Sequence, residues 1–167
     1  MPAPYERRYR HIDRRAIHTT RLLVRTRPWG RDAAALASAR TWASRVAEVY
    51  GIEVPTVIID RRHPDFRLFG DSYRPMNRTI VLGTFSVVSL AHEFRHHWQQ
   101  QTGAHLTTRA DAEDDARAWS LSLFRAAAPR RFARMAAAGR IHFVDAGEWR
   151  RRAGRAIALA HALEGGR

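Results

Sequence analysis

Residues 90–98 read Leu-Ala-His-Glu-Phe-Arg-His-His-Trp and contain a His-Glu-x-x-His motif. Residues four apart lie one above the other on a helix, so His92 and His96 can hold one metal ion between them. Glu93 is offset from His92 by about 100°, which places its carboxylate beside the metal. There it can take a proton from a water molecule that the metal activates. The motif therefore predicts a hydrolytic metal site on one helix.

The apolar residues around the motif recur at helical spacing and define the buried side of this helix. They are Val87, Ala91, Phe94 and Trp98, with Leu90 alongside. At about 100° per residue, the centre of this stripe lies roughly opposite the two histidines. His92 and His96 should therefore face a cleft or solvent rather than the core of the protein.

An acidic segment, residues 111–115, opens a second predicted helix. Thr108 with Asp111 approximates a capping box, and carboxylates in a first turn favour the helix dipole. The apolar stripe consists of Ala112, Ala116, Trp119 and Leu123, extended by Ser120 and Phe124. We expect this helix to run from about Thr108 to Ala127, because Pro129 ends it.

A catalytic zinc site needs a third protein ligand and one open position. Glu113 lies on the flank of the second helix's apolar stripe, where a ligand that reaches the first helix should sit. Asp114 points mostly outward on the helical wheel, and Asp111 and Asp115 lie on the opposite flank. Glu113 is the predicted third ligand, and Asp115, Asp111 and His105 remain alternatives.

Together these residues resemble the gluzincin zinc metallopeptidases, and most closely the minigluzincins and the ImmA/IrrE-like peptidases. In those proteins the second helix reads roughly Glu-x-x-Ala-Asn-x-Phe-Ala, and residues 113–120 here read Glu-Asp-Asp-Ala-Arg-Ala-Trp-Ser. The resemblance covers roughly residues 35–125. It implies that His92, His96 and Glu113 bind Zn2+ and that Glu93 is the general base of a metallopeptidase.

One position departs from the family pattern. The family often has Asp or Asn four residues after the ligand glutamate, where it supports a zinc-bound histidine, and this chain has Arg117. Asp115 or Asp111 can take over that contact. SprT-like proteases are a weaker match, because they take a third histidine well downstream, whereas His105 follows His96 closely.

The resemblance also implies where the substrate lies. In zincins of this type, the strand before the motif helix edges the cleft, and a peptide adds to it as an extra strand; here that strand would be Thr79 to Leu82 or nearby residues. Zinc would activate a water molecule, Glu93 would accept its proton, and the attacked peptide carbonyl would need a further hydrogen-bond donor. Tyr73, His63 and His142 are the candidates for that donor.

The fold class predicted for the chain is α+β. We expect a small zincin-like domain in which a short twisted sheet packs on the motif helix and on the following glutamate helix. A helix from about Ala35 to Tyr50 precedes the predicted strands, and Gly51 ends it. The predicted strands are residues 54–60, 66–69 and 77–83, which are rich in β-branched and aromatic residues.

The domain organisation follows from the charge distribution. Residues 1–31 carry nine Arg against two acids, residues 125–167 carry ten against three, and the middle has ten against eleven. We therefore predict a loosely ordered basic arm over residues 1–30, the zincin-like domain over 31–128, and a basic helical extension over 129–167 packed on that domain. Arg-rich ends are typical of proteins that bind nucleic acid or an acidic partner. A catalytically silent binding protein is the alternative function.

Composition excludes several classes of protein. The 167 residues suffice for one domain with a buried core, and the absence of Cys excludes disulfides and thiolate metal sites. No apolar run reaches the length of a membrane span, and the N-terminus has no apolar signal region. We expect a cytoplasmic protein whose partner is a protein or peptide substrate, with no membrane contact.

Overall fold

The computed structural model describes residues 12–26, 33–104, 109–138 and 140. It confirms a mixed α+β fold, mostly helical, with one small three-stranded sheet. Among the described residues, no helix is both long and apolar enough to cross a membrane. The elements in chain order are α1 (Arg14–Thr26), α2 (Ala33–Tyr50), β1 (Thr56–Ile59), α3 (Pro64–Phe69), β2 (Ser72–Arg74), β3 (Thr79–Leu82), α4 (Val87–Thr102), α5 (Arg109–Ala127) and α6 (Pro129–Ala137).

The sheet has the strand order β1-β3-β2. β1 pairs with β3 in parallel, with Val57 opposite Ile80, and β2 pairs with β3 antiparallel, with Tyr73 opposite Ile80. Strands near residues 54–60 and 77–83 are therefore confirmed. The prediction that Thr79–Leu82 edges the cleft is wrong, because β3 is the central strand and both of its edges are already paired.

Residues 66–69 belong to a helix, so the strand predicted there is wrong. The imidazole of His63 caps α3 by accepting a hydrogen bond from the Asp65 N–H at 3.2 Å. Pro64 occupies the first turn, where its fixed φ suits a helix and its missing N–H costs nothing. The apolar composition of Phe66 to Phe69 resembled a strand, but these capping residues determine the local structure.

The N-terminal segment is more ordered than predicted, because residues 14–26 form α1 rather than a loose arm. Ile12, Ala16, Thr20 and Leu23 lie on its buried side. The Thr20 hydroxyl donates to the Ala16 carbonyl at 2.8 Å and accepts from Trp42 Nε1 at 2.9 Å. Because Thr20 is polar and arginines surround it in the sequence, the apolar residues of α1 do not recur regularly enough to predict a helix.

The motif helix α4 lies between two other helices, and its buried side contacts aromatic rings from both. Phe94 meets Trp42 of α2 edge to face at 5.3 Å between ring centroids, and it stacks on Trp119 of α5 at 6.2 Å. The helix predicted for residues 35–50 is confirmed as α2, and it ends at Gly51 with a φ of 63°. Phe94, Trp42 and Trp119 belong to one core cluster, which joins the apolar sides of these three helices.

Helix α5 confirms the second predicted helix but is buried on more sides than one stripe requires. It packs against α4, α1 and α6. Leu121 is buried, and so is Asp114, which corrects the prediction that Asp114 points outward. At the far end, Phe132 of α6 packs on Phe124 with ring centroids 6.1 Å apart. The remainder of the predicted extension, residues 141–167, lies outside the described residues, as do residues 1–11.

Candidate metal centre

Helix α4 carries the motif into a cavity of about 880 Å³. The Ser86 hydroxyl caps the helix by accepting from the Ser89 N–H at 3.2 Å, and Gly103 ends it in the left-handed conformation with a φ of 62°. The side chains of His92, Glu93 and His96 line the cavity. The histidines therefore face a cleft, as the position of the apolar stripe predicted.

Potential ligand atoms of three residues lie within 4.8 Å of one another in this cavity. His92 Nε2 lies 3.2 Å from His96 Nε2 and 3.2 Å from Glu113 Oε2, and His96 Nε2 lies 3.4 Å from Glu113 Oε1. Within the part of the chain that the structure describes, these residues are the one group of three His, Cys, Asp or Glu side chains that could hold a metal ion. Glu113 of α5 therefore stands where the sequence predicts the third ligand.

Glu93 is buried beside this cluster, with its Oε1 4.0 Å from His92 Nε2. Burial raises the pKa of its carboxyl group, and the nearby His92 and His96 partly oppose that rise. A carboxylate with a raised pKa holds a proton more readily at neutral pH. The environment therefore suits a proton acceptor.

Charge interactions link Glu113 to both histidines. The neighbouring imidazoles of His92 and His96 hold the pKa of the Glu113 carboxyl well below its usual range. Burial opposes charging of His96, yet Glu113, Glu93 and Gln99 together raise the pKa of its imidazole. The carboxylates of Glu93 and Glu113 thus favour a positive charge beside them, and a bound cation would supply that charge.

The orientation of His96 is set by Gln99, one helical turn further along α4. His96 Nδ1 lies 2.9 Å from Gln99 Oε1, and Gln99 Nε2 donates to the Ala112 carbonyl at 3.0 Å and to Asp115 Oδ2 at 2.9 Å. Because Gln99 Nε2 faces two acceptors, Oε1 must face His96 and accept from Nδ1–H. A neutral His96 then presents the lone pair of Nε2 to the cluster.

Asp115, an alternative predicted ligand, does not line the cavity and instead contacts Gln99 and Arg95. Its carboxylate accepts from Arg95 Nε at 2.7 Å and from Arg95 Nη2 at 3.3 Å. The guanidinium of Arg95 in turn lies over the Trp98 ring, 3.7 Å from its centroid. Asp115 therefore acts on His96 through Gln99, whereas Arg117 lines the cavity and pairs with Asp114 at 3.7 Å.

Tyr73, a predicted donor, lines the cavity, but its hydroxyl is already engaged. It contacts Gln100 Oε1 and lies 2.9 Å from Nδ1 of the buried His97, whose Nε2 lies 2.7 Å from the Glu53 carbonyl. Burial and the Arg78 cation lower the pKa of His97 to about 4, so His97 is neutral and its Nε2–H donates to Glu53. Burial raises the pKa of Tyr73 to about 12.

Of the other predicted donors, the structure describes only His63, which does not line this cavity. His63 caps α3 instead. His105, His142 and the side chain of Asp111 lie outside the described residues. Gln99 was missed, although its position three residues after His96 on one helical face signals contact.

Comparisons with protein-family models, with curated proteins and with solved structures found no match for this chain.

Proposed function

We propose that this protein is a zinc-dependent metallopeptidase in which His92, His96 and Glu113 bind the metal and Glu93 is the general base. The convergence of the ligand atoms carries the proposal. Bonds of about 2.0–2.1 Å at a tetrahedral angle put the atoms of a zinc site about 3.3 Å apart. His92 Nε2 lies 3.2 Å both from His96 Nε2 and from Glu113 Oε2, which fits that arrangement. His96 Nε2 lies 3.4 Å from the other oxygen of the same carboxylate, Glu113 Oε1.

The donor set also supports zinc rather than calcium or magnesium. Two imidazole nitrogens and one carboxylate match a catalytic zinc site, whereas the hard cations prefer oxygen ligands alone. When bound, zinc would lower the pKa of a water molecule and polarise a peptide carbonyl. The cavity beside Glu113 has room for the water molecule and for the peptide carbonyl.

Proton transfer in the proposed reaction is carried out by Glu93. Glu93 accepts the proton of the attacking water, because its carboxylate is buried beside the ligands and has a raised pKa. It returns that proton to the leaving amine when the peptide bond breaks. Gln99 holds His96 in the tautomer that this geometry needs.

The edge strand β2 is the proposed place for the substrate backbone. Ser72, Tyr73 and Arg74 line the metal cavity, and β2 is the outer strand of the sheet on that side. A peptide that pairs with the open edge of β2 would pass over the metal site. This assignment replaces Thr79–Leu82, whose edges are both paired.

Zinc content and peptide cleavage, measured on the same preparations, test the proposal. After metal-replete purification, we expect about one zinc per chain in the wild type and in Glu93→Gln, and its loss in Glu113→Ala. Only the wild type should cleave a mixed peptide substrate. A zinc-free wild type, or full activity in Glu93→Gln, contradicts the proposal.

Nucleic-acid binding by the Arg-rich ends stays a prediction, because most of both ends lies outside the described residues. A cytoplasmic location is also still a prediction. A zinc-loaded wild type that cleaves no peptide but binds DNA in a salt-sensitive manner would favour the catalytically silent binding protein.

A further inference from the structure

The wall of the metal cavity carries three arginine side chains that the proposed chemistry does not use. They come from two elements: Arg74 from β2, and Arg109 and Arg117 from α5. The carboxylates on the same wall are Asp71, Glu93 and Glu113. Three cations thus face three anions before any metal is bound.

The two arginines of α5 flank the predicted ligand. Arg109 lies four residues before Glu113 and Arg117 lies four residues after it. Residues at this spacing share one face of a helix, with a rise of about 6 Å between successive members. Along the face of α5 that lines the cavity, the cation Arg109 is followed by the predicted ligand Glu113 and then by the cation Arg117.

The carboxylates of the cavity already have functions within the protein. Asp71 Oδ1 accepts from the Gly83 N–H at 2.9 Å, Glu113 contacts both motif histidines, and Glu93 is the proposed base. A bound divalent cation would leave the cavity with a net positive charge. A cleft of one sign concentrates ligands of the opposite sign.

The guanidinium groups of these arginines have the geometry that recognises a carboxylate. Arg74 pairs with Asp65 at 3.5 Å and Arg117 pairs with Asp114 at 3.7 Å, both of which are long for ion pairs. Each guanidinium has five N–H donors in a planar fork that matches a carboxylate. Arg109 is exposed at the beginning of α5, at the mouth of the cleft.

We propose that this cavity selects peptides with acidic side chains close to the bond to be cleaved, which Arg109 and Arg117 bind on either side of Glu113. The inference rests on the proposed peptidase function and adds a substrate class to it. Where the resembling family has a residue that supports a ligand histidine, this chain has a substrate-binding cation at Arg117, and Gln99 with Asp115 provides the support.

The test measures peptide binding to the zinc-loaded full chain carrying Glu93→Gln, which prevents turnover. The probes are three labelled peptides of one length whose central residues are Glu, Gln or Lys. We expect the Glu peptide to bind about tenfold more tightly than the Gln peptide, and the Lys peptide to bind most weakly. Adding Arg109→Gln and Arg117→Gln should reduce the Glu-over-Gln preference to about twofold or less.

The matched control carries Arg130→Gln and Arg134→Gln, two exposed arginines of α6 that do not line the cavity. It has the same net charge as the test variant and should keep the preference. Arg109→Gln alone, at an exposed position, should lower the preference in part without disturbing the fold. Circular dichroism checks that fold.

Three results would overturn the inference: equal binding of the Glu and Gln peptides, an undiminished preference in the double variant, or a single-stranded oligonucleotide that displaces the Glu peptide and loses affinity in the double variant. The last result would assign the cavity to nucleic acid. Failure of the peptidase proposal looks different, because the wild type would then cleave none of the peptides while the Arg-dependent preference persists.

Discussion

Gln99 Oε1 lies 2.9 Å from His96 Nδ1, and the Gln99 amide nitrogen is held by the Ala112 carbonyl and by Asp115. The side chain therefore bridges the motif helix α4 and the glutamate helix α5. Through this one amide, the position of α5 determines which nitrogen of His96 carries the proton.

Replacing Gln99 should weaken metal binding without removing a ligand. We expect Gln99→Ala to lower zinc affinity about 10- to 100-fold, as loss of a partner behind a ligand histidine typically does. Competition with a chromophoric chelator measures this affinity. Gln101→Ala, on the same helix but outside the cavity lining, is the control and should bind zinc like the wild type. Equal affinity in both variants would show that Gln99 does not position His96.

The buried pair of Arg95 and Asp115 should matter for stability as well as for the site. Asp115→Ala leaves the Arg95 cation buried without its main carboxylate partner, which costs about 3–5 kcal/mol in comparable buried pairs. Urea unfolding of the metal-free protein measures the loss. Replacing both residues by Leu should recover part of that stability, because no isolated charge then remains. A double variant as unstable as Asp115→Ala would argue against the ion pair as the cause.

The hydroxyl of Thr20 should stabilise the protein through its bond from Trp42. Thr20→Val keeps the shape of the side chain but leaves the buried Trp42 N–H without that acceptor, at a cost of about 1–3 kcal/mol. Thr41→Val, at an exposed position of α2, is the matched control and should change the free energy of unfolding by no more than about 0.5 kcal/mol. Similar effects of the two substitutions would contradict the role of this hydrogen bond.

Alkaline pH should unfold the protein through two partly buried tyrosines, Tyr50 and Tyr73. The chain has no Lys and no Cys, so tyrosine is the one ordinary side chain that titrates between about pH 9 and 12. Burial raises the pKa of Tyr50 above its usual value, and it raises the pKa of Tyr73 to about 12. Both groups are neutral in the fold while the unfolded chain releases their protons, so stability is complete below about pH 10 and falls as pH rises towards 12.

The Tyr50 contribution can be separated by substitution. Tyr50→Phe keeps the ring that meets Trp119 edge to face but removes the titrating hydroxyl. Urea unfolding at pH 9 and at pH 11 should show a smaller loss of stability in Tyr50→Phe than in the wild type. An identical loss in the two proteins would show that Tyr50 does not drive the alkaline transition.

The sequence was most informative where periodicity and chemistry agree. The stripe around Phe94 placed His92 and His96 opposite the core, and the wheel of the second helix placed Glu113, rather than Asp115, beside them. Both inferences depend on the geometry of single helices, which spacing determines. The predicted fold class and the helices around the site followed from the same patterns.

The predictions that failed depend on how elements pack against one another. Asp114 is buried although it lies off the predicted stripe of α5, a helix that packs against three others. One of those helices, α1, was itself hidden by Thr20 within its stripe. The prediction that β3 is an edge strand was wrong because β2, only three residues long, pairs with its outer side. Nothing in the local pattern of Ser72–Arg74 indicates a strand, since the pairing with β3 creates it.

Phe94 is placed between the two histidines in sequence and between two tryptophans in space, which joins the cleft to the centre of the protein. The backbone amides from His92 to His96 should therefore exchange with solvent only when the whole domain opens, rather than by fraying of a local segment. A protease that samples partly opened molecules would then find the site either intact or entirely lost. The motif segment that lines the cavity should therefore open no more often than the core against which it packs.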